Sequence, residues 1–150
     1  MAGMVDPEVL RIQPLFAEMP TSDLENLASA FFEKNFTPGA VLFAEGMPGE
    51  VLYLVLKGRL EILKTAANGT EVVLATLKEG EFLGEMSLID NLPRTATART
   101  AGEATCLAMT KKSFHQLVEK YPAVAVKLLT TFLRTTNDRL RKANESIKQI

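Results

Sequence analysis

The sequence predicts a mainly β domain, a sandwich or rolled barrel, with helical segments at both ends. Three observations predict it. Short β-type runs separated by turn residues fill residues 40–110, helical periodicity precedes them, and it returns from Lys111 onward. At 150 residues the chain has the length of one domain able to bury a sizeable core. Residues 1–150 are therefore read as a single domain, with an N-terminal helical segment over 13–35, a β region over 36–110 and C-terminal helices over 111–150.

The first segment is helical by its capping and its stripe. Ser22 with Glu25 three residues later has the spacing of a capping box, and Leu24, Leu27, Ala28 and Phe31 follow on one face. This helix is expected to end near Glu33, before the turn Phe36-Thr37-Pro38-Gly39. Val41-Leu42-Phe43 is then a short strand, closed by the turn Glu45-Gly46-Met47-Pro48-Gly49. Residues 51–56, apolar throughout, read as a strand buried on both faces. Leu60 and Ile62 and, after Ala67-Asn68-Gly69-Thr70, Val72, Leu74 and Leu77 continue a meander; Asn-Gly between strand patterns is a strong hairpin signal. Residues 96–100 and 105–109 are expected to form the last strand pair.

From Lys111 the period is helical. Residues 113–119 form a short helix that stops before Pro122, and Pro122 opens a long one to about Ile147. Val126, Leu129, Leu133, Thr136, Leu140, Ala143, Ile147 and Ile150 alternate by three and four, a heptad seam weakened at Thr136 and Ala143. Its second half has no evident partner within the chain, so a homodimer through the 122–150 helix is expected.

Composition narrows the chemistry. Hydrophobic residues make up 47% and charged residues 23%, ordinary values for a soluble protein. No apolar run approaches the roughly 20 residues of a membrane helix, and the first ten residues, with Asp6 and Glu8, lack a signal-peptide pattern. A lone cysteine, Cys106, excludes an internal disulfide and fits a reducing compartment. The chain is read as cytoplasmic with no membrane partner. One histidine and one cysteine are too few for a zinc or catalytic metal site. A nucleophilic triad would have to use His115, which sits in Lys111-Lys112-Ser113-Phe114-His115-Gln116-Leu117 and reads as a solvated helix residue. No catalytic residue and no metal are expected. Net charge is −1, with Lys127, Arg134, Arg139, Arg141, Lys142 and Lys148 concentrated after residue 120. These lie on the polar face of a patterned helix, so a solvated face is preferred over direct nucleic-acid binding.

One stretch fits neither strand nor hairpin. Gly80-Glu81-Phe82-Leu83-Gly84-Glu85-Met86-Ser87-Leu88-Ile89 leads through Asp90-Asn91-Leu92 to Pro93-Arg94-Thr95-Ala96-Thr97. Gly84 permits a tight corner, and residues 85–89 can form one helical turn whose free amides favour an anion. Arg94 offers a fork that matches two phosphate oxygens, with the Thr95 hydroxyl beside it. The Glu85 carboxylate suits a sugar hydroxyl. On composition alone, a surface ion pair between Glu85 and Arg94, worth about 0–1 kcal/mol, is the preferred reading.

Gly84-Glu85-Met86-Ser87-Leu88 through Pro93-Arg94-Thr95-Ala96 nevertheless resembles the phosphate-binding cassette of the cyclic-nucleotide-binding domains, the family of catabolite activators, kinase regulatory subunits and nucleotide-gated channels. Residues 37–46 and 53–58 are also similar to that family's early strands and turns, and the resemblance covers about residues 14–145. It implies an eight-stranded β-roll (a double-stranded β-helix or jelly roll) with an N-terminal helix and a long C-terminal helix, the cassette occupying 80–97. It implies that Glu85 binds the ribose 2′-hydroxyl and Arg94 the cyclic phosphate. Amides around Gly84, Met86, Ser87 and Ala96 would complete the phosphate site, with the Ser87 side chain nearby. Thr95 bears slightly on the choice of base, and Leu83, Val72 and Leu74 would pack on sugar and base. The base lid would come from the 122–147 helix, with Arg139, Asn144 and its threonines as candidates. The implied function is a regulatory sensor with cAMP or cGMP as ligand, cAMP favoured, and no metal. Binding would be relayed through Leu88 and Ile89 to the C-terminal helices. Two alternatives remain open. One is the sensor part of a transcription regulator without its DNA-binding domain, which is expected to be lacking here. The other is a ligand-free protein-interaction module.

Overall fold

The computed structural model describes residues 5–148. Two four-stranded antiparallel sheets form a jelly roll. One is ordered β1 (Phe32–Phe36), β8 (Ala104–Thr110), β3 (Val51–Lys57), β6 (Phe82–Leu83); the other β2 (Val41–Phe43), β7 (Thr97–Thr100), β4 (Leu60–Thr65), β5 (Glu71–Leu77). The pleat of β3 explains its apolar run. Leu52 and Leu54 join a core shared with the helices, while Tyr53 and Val55 join the interior of the roll. The strand is thus buried on both faces, as its composition predicts.

The hairpin at Asn68-Gly69 joins β4 to β5, with Gly69 at φ 85°, Thr65 opposite Glu71, and Ala66 N donating to Thr70 O at 2.7 Å. The last two strands do not pair with each other. β7 lies between β2 and β4, and β8 lies between β1 and β3, so the chain crosses from one sheet to the other at the loop 101–103. Sequence adjacency suggested a hairpin; the two-sheet roll separates them.

The N-terminal helices differ from expectation at both ends. Helix α1 (Pro7–Arg11) is capped by Asp6, whose Oδ1 accepts from Glu8 N at 3.0 Å; a short 3₁₀ turn, Pro14–Phe16, follows. Helix α2 (Thr21–Ala28) begins after Pro20, not at Ser22, and no side-chain hydrogen bond caps it. It ends at Ala28 and not near Glu33. Phe32 and Phe36 alternate into the roll and pair with Ala108 and Ala104 of β8, so strand pairing takes over residues that helical periodicity would have claimed. The stripe itself is as expected, with Leu24, Leu27, Ala28 and Phe31 buried.

Helix α3 (Lys111–Lys120) is capped by Thr110, whose hydroxyl oxygen accepts from Ser113 N at 3.0 Å. Helix α4 (Pro122–Lys148) runs 27 residues, about 40 Å at 1.5 Å per residue. Its first half packs by Val124, Ala125, Leu128 and Phe132, and Phe132 meets the Phe82 ring at 4.6 Å. These are not the heptad positions. Val126, Leu133, Leu140 and Ile147 are 60–70% exposed on the other face; Ile150 lies outside the described residues. No described helix is long and apolar enough to cross a membrane, and no described cluster of His, Cys, Asp and Glu has metal-site geometry.

Candidate functional site

The cassette is shaped by its backbone. Gly84 adopts φ 87°, ψ 14°, turning β6 into the 3₁₀ turn Glu85–Leu88. A Cβ there would lie 2.7 Å from both Arg94 Nη1 and Val51 O, so glycine is required by conformation and by space. Ser87 N donates to Gly84 O at 3.0 Å, and Asp90 Oδ1 accepts from Leu92 N at 3.2 Å, closing the loop before Pro93. The turn after β2 then clamps the arginine backbone: Arg94 N donates to Met47 O and Gly46 N to Arg94 O, both at 2.8 Å. At the far end Lys111 Nζ donates to Asp90 O at 3.3 Å and to Asn91 Oδ1, tying the cassette to α3.

These elements border an open cavity of about 500 Å³. Its apolar wall is Phe43, Ile62, Ala75, Leu77 and Leu83 from the strands. Its other wall is the cassette, including Gly84, Glu85, Met86, Ser87, Arg94, Thr95 and Ala96, and Arg139 of α4 closes one side. Such a mostly apolar cleft with a few convergent polar groups is what a small-molecule site requires.

Within it Glu85 and Arg94 do not pair; no described ion pair joins them, which removes the surface-pair reading. Arg94 Nη2 donates to Val51 O at 2.6 Å, its Cζ lies 3.9 Å from the Phe43 ring centroid, and its buried Nε has no partner among the described residues. Burial lowers the guanidinium pKa, against a smaller opposing pull from Tyr53 and Glu85. An orphaned cationic donor in a half-buried cleft is costly, and an entering anion would satisfy it. Burial likewise raises Tyr53, against the opposing pull of Arg94. Glu85 Oε1 is instead engaged from α4, 3.3 Å from Thr136 Oγ1 and 3.9 Å from Arg139 Nη1.

Eight of the ten residues named from sequence border the cavity, Leu83, Gly84, Glu85, Met86, Ser87, Arg94, Thr95 and Ala96. Val72 and Leu74 do not. Ala75 opposite Ile62, with Leu77, supplies the β5 wall; past the register shift between Ile62 and Leu63 the alternation is broken, and Val72 and Leu74 are 45% and 58% exposed away from the cavity. Arg139 reaches the cavity; Asn144 is exposed and does not. Leu88 is buried against the helical core, whereas Ile89 is exposed. His115 is exposed on α3. Phe43, Ile62, Ala75 and Leu77 were not singled out from sequence; the inward parity of the strands was the signal that could have found them.

The family model described as the cyclic nucleotide-binding domain matches residues 33–121. The chain belongs to that family. The cyclic nucleotide-binding domain resembles the CRP-like cAMP-activated global transcriptional regulator of Mycobacterium tuberculosis, 28% identical over 143 residues, 95% of this chain and 62% of the regulator. It is also similar to the cyclic AMP receptor protein of Thermus thermophilus, 34% identical over 132 residues, 87% of this chain and 59% of the receptor. The domain therefore spans about 60% of the length of these relatives. A crystal structure of a cyclic nucleotide-binding domain from Methylobacillus flagellatus superposes with a TM-score of 0.81 at 26% identity, covering 93% of this chain and 79% of that one.

Proposed function

We propose that the chain is a regulatory sensor that binds a cyclic nucleotide, cAMP in preference to cGMP, in the cavity between β-roll and cassette. The observation that carries this is the Arg94 guanidinium: it lines the cavity and, among the described residues, its Nε has no hydrogen-bond partner and no carboxylate forms an ion pair with it. A cyclic phosphate would supply both charge and acceptors, in charge-assisted hydrogen bonds worth about 1.5–3 kcal/mol each. Backbone amides of the cassette and Ser87 would complete the phosphate shell, Glu85 would accept from the ribose 2′-hydroxyl, and Phe43, Ala75, Leu77 and Leu83 would receive the apolar parts. The preference for cAMP rests on the two regulators above, both described by cAMP; Thr95 at the cavity edge is compatible with either base.

Binding is proposed to act on α4. Glu85 holds Thr136 and Arg139, so a sugar hydroxyl competes for the oxygen that anchors the helix. A ligand shifts the helix only by the difference in its affinity for the two helix positions. The exposed α4 stripe is proposed to pair with a second copy.

Calorimetric titration with cAMP and with cGMP, on protein freed of co-purified nucleotide, tests this. Micromolar or tighter binding of cAMP, about −8 kcal/mol, is expected, with cGMP weaker and Arg94→Ala folded but at least 100-fold weaker. Absence of heat and of any thermal shift with either nucleotide overturns the sensor reading in favour of an interaction module.

A further inference from the structure

The hydrogen bond from Arg94 Nη2 to Val51 O fixes one corner of the guanidinium and does not by itself set its plane. Recognition of a phosphate by a fork of parallel N–H groups depends on that plane. What supports the face of the group is Phe43, with its ring centroid 3.9 Å from Arg94 Cζ. The ring does not stand alone. It stacks on Tyr53, with centroids 6.4 Å apart and planes inclined by 25°. Tyr53 in turn meets Phe36 edge-on, at 6.1 Å and 68°. Tyr53 is only 5% exposed, so the column rises from the interior of the roll to the cavity.

We propose that Phe43 is a positioning residue for anion capture: its ring, fixed by Tyr53, sets the plane of the Arg94 guanidinium so that its remaining donors face a phosphate entering the cavity. The inference rests on the nucleotide reading for its ligand, but not for the geometry of Arg94, which exists without ligand. A leucine at 43 keeps an apolar wall and loses the face; a tyrosine keeps the face.

Two measurements on the full chain separate the inference from the reading beneath it. In nitrogen-15 spectra of the ligand-free protein, with Arg94→Lys used for assignment, the Arg94 Hε resonance is expected upfield from the ring current. It should move downfield in Phe43→Leu and stay in place in Phe43→Tyr. In calorimetry, Phe43→Leu is expected to weaken cAMP about tenfold, a change of about 1.4 kcal/mol. Phe43→Tyr should restore it, and adenosine, the phosphate-free probe, should compete equally well in all three proteins. A Leu variant that binds cAMP like the wild type overturns the assignment. So does one that loses cAMP and adenosine alike, which would make Phe43 only a wall, or an Hε resonance that ignores the substitution. Wild-type protein that takes up no cAMP overturns the nucleotide reading instead, and the ligand-free resonance then still decides for or against Phe43.

Discussion

Thr136 Oγ1 lies 3.3 Å from Glu85 Oε1, so a single carboxylate borders the cavity and holds the terminal helix at once. Arg139 adds a second link, with Nη1 3.9 Å from the same oxygen and Nη2 donating to Phe82 O at 2.9 Å. The two links come from one face of α4, one turn apart. Beyond them residues 141–147 are exposed, so among the described residues this is the last place where the helix touches the roll.

Arg139→Ala tests that anchor. It removes the weak ion pair, the hydrogen bond to Phe82 O and the contact of the guanidinium with the Phe82 ring at 4.9 Å. The group is 39% exposed, so the pair itself contributes about 0–1 kcal/mol, and the hydrogen bond about 1 kcal/mol more. Amide exchange over residues 135–145 should therefore quicken several-fold, with β3 and β8 unchanged. Equal protection in variant and wild type would mean that Leu128 and Phe132 alone hold the helix.

Gly49 sits where no side chain fits. Its φ is not in the left-handed region, so alanine is conformationally allowed there. An added Cβ, however, would lie against Ser87 Oγ and 3.0 Å from Arg94 Nε. Gly49→Ala is expected to cost about 1–3 kcal/mol of stability by overpacking and to weaken cAMP at least tenfold in calorimetry. Gly69→Ala is the control. At φ 85° with nothing within 4 Å, it should cost about 1–2 kcal/mol of stability and leave affinity unchanged. Equal affinities for the two variants would show that Gly49 does not space the cassette.

The cassette was legible because its residues are unusual in type and close in sequence; Gly84, Glu85 and Arg94 mark a corner, a carboxylate and a guanidinium within one loop. The two-sheet architecture was legible as a count of short strands, but not as a set of pairings. β1 was hidden because helical and strand periods overlap at Phe31 and Phe32, and only pairing with β8 decides between them. On β5, Val72, Val73 and Leu74 are all apolar, so polarity could not say which side faces inward, and the register shift between Ile62 and Leu63, which no local pattern announces, breaks the alternation there. Phe43 escaped notice because an aromatic in a short strand is ordinarily core. Its partner Arg94 is brought beside it only by the pairing of β2 with β7, a contact no local pattern encodes.

Cys106 is fully buried on β8 within the roll, and desolvation raises its thiol to about 11 from the ordinary 9.0. Two units leave about 100-fold less thiolate at pH 8 than in an unfolded chain, so reaction with iodoacetamide should be slowed at least as much and restored by denaturant. The same shift bears on stability. The folded state holds the proton that the unfolded state releases between about pH 9 and 11, so this contribution is whole below pH 9 and is lost as pH rises through 11. A denaturant midpoint that falls over that window in wild type, and falls less in Cys106→Ala, is the expected result. Rapid alkylation of native protein at pH 8 would show that the roll opens locally at β8.

The α4 stripe of Leu133, Leu140 and Ile147 is 60–70% exposed, while Val124, Ala125, Leu128 and Phe132 of the same helix are buried in the core shared with the other helices, so the helix carries two apolar faces and the domain covers one. Apolar side chains at three- and four-residue intervals, extending past the last contact with the roll, fit a parallel or antiparallel partner helix of the same kind. Light scattering is expected to give a dimer. Leu133→Glu with Leu140→Glu should give a monomer whose melting temperature is little changed, because neither side chain enters the core. cAMP affinity should then report how far the two processes are linked: an unchanged value would place the dimer contact apart from the Glu85 anchor, while a shift of several-fold would join them. A monomer at high concentration in the unsubstituted protein, with and without cAMP, would remove the self-association reading altogether and leave the stripe without an occupant among copies of this chain.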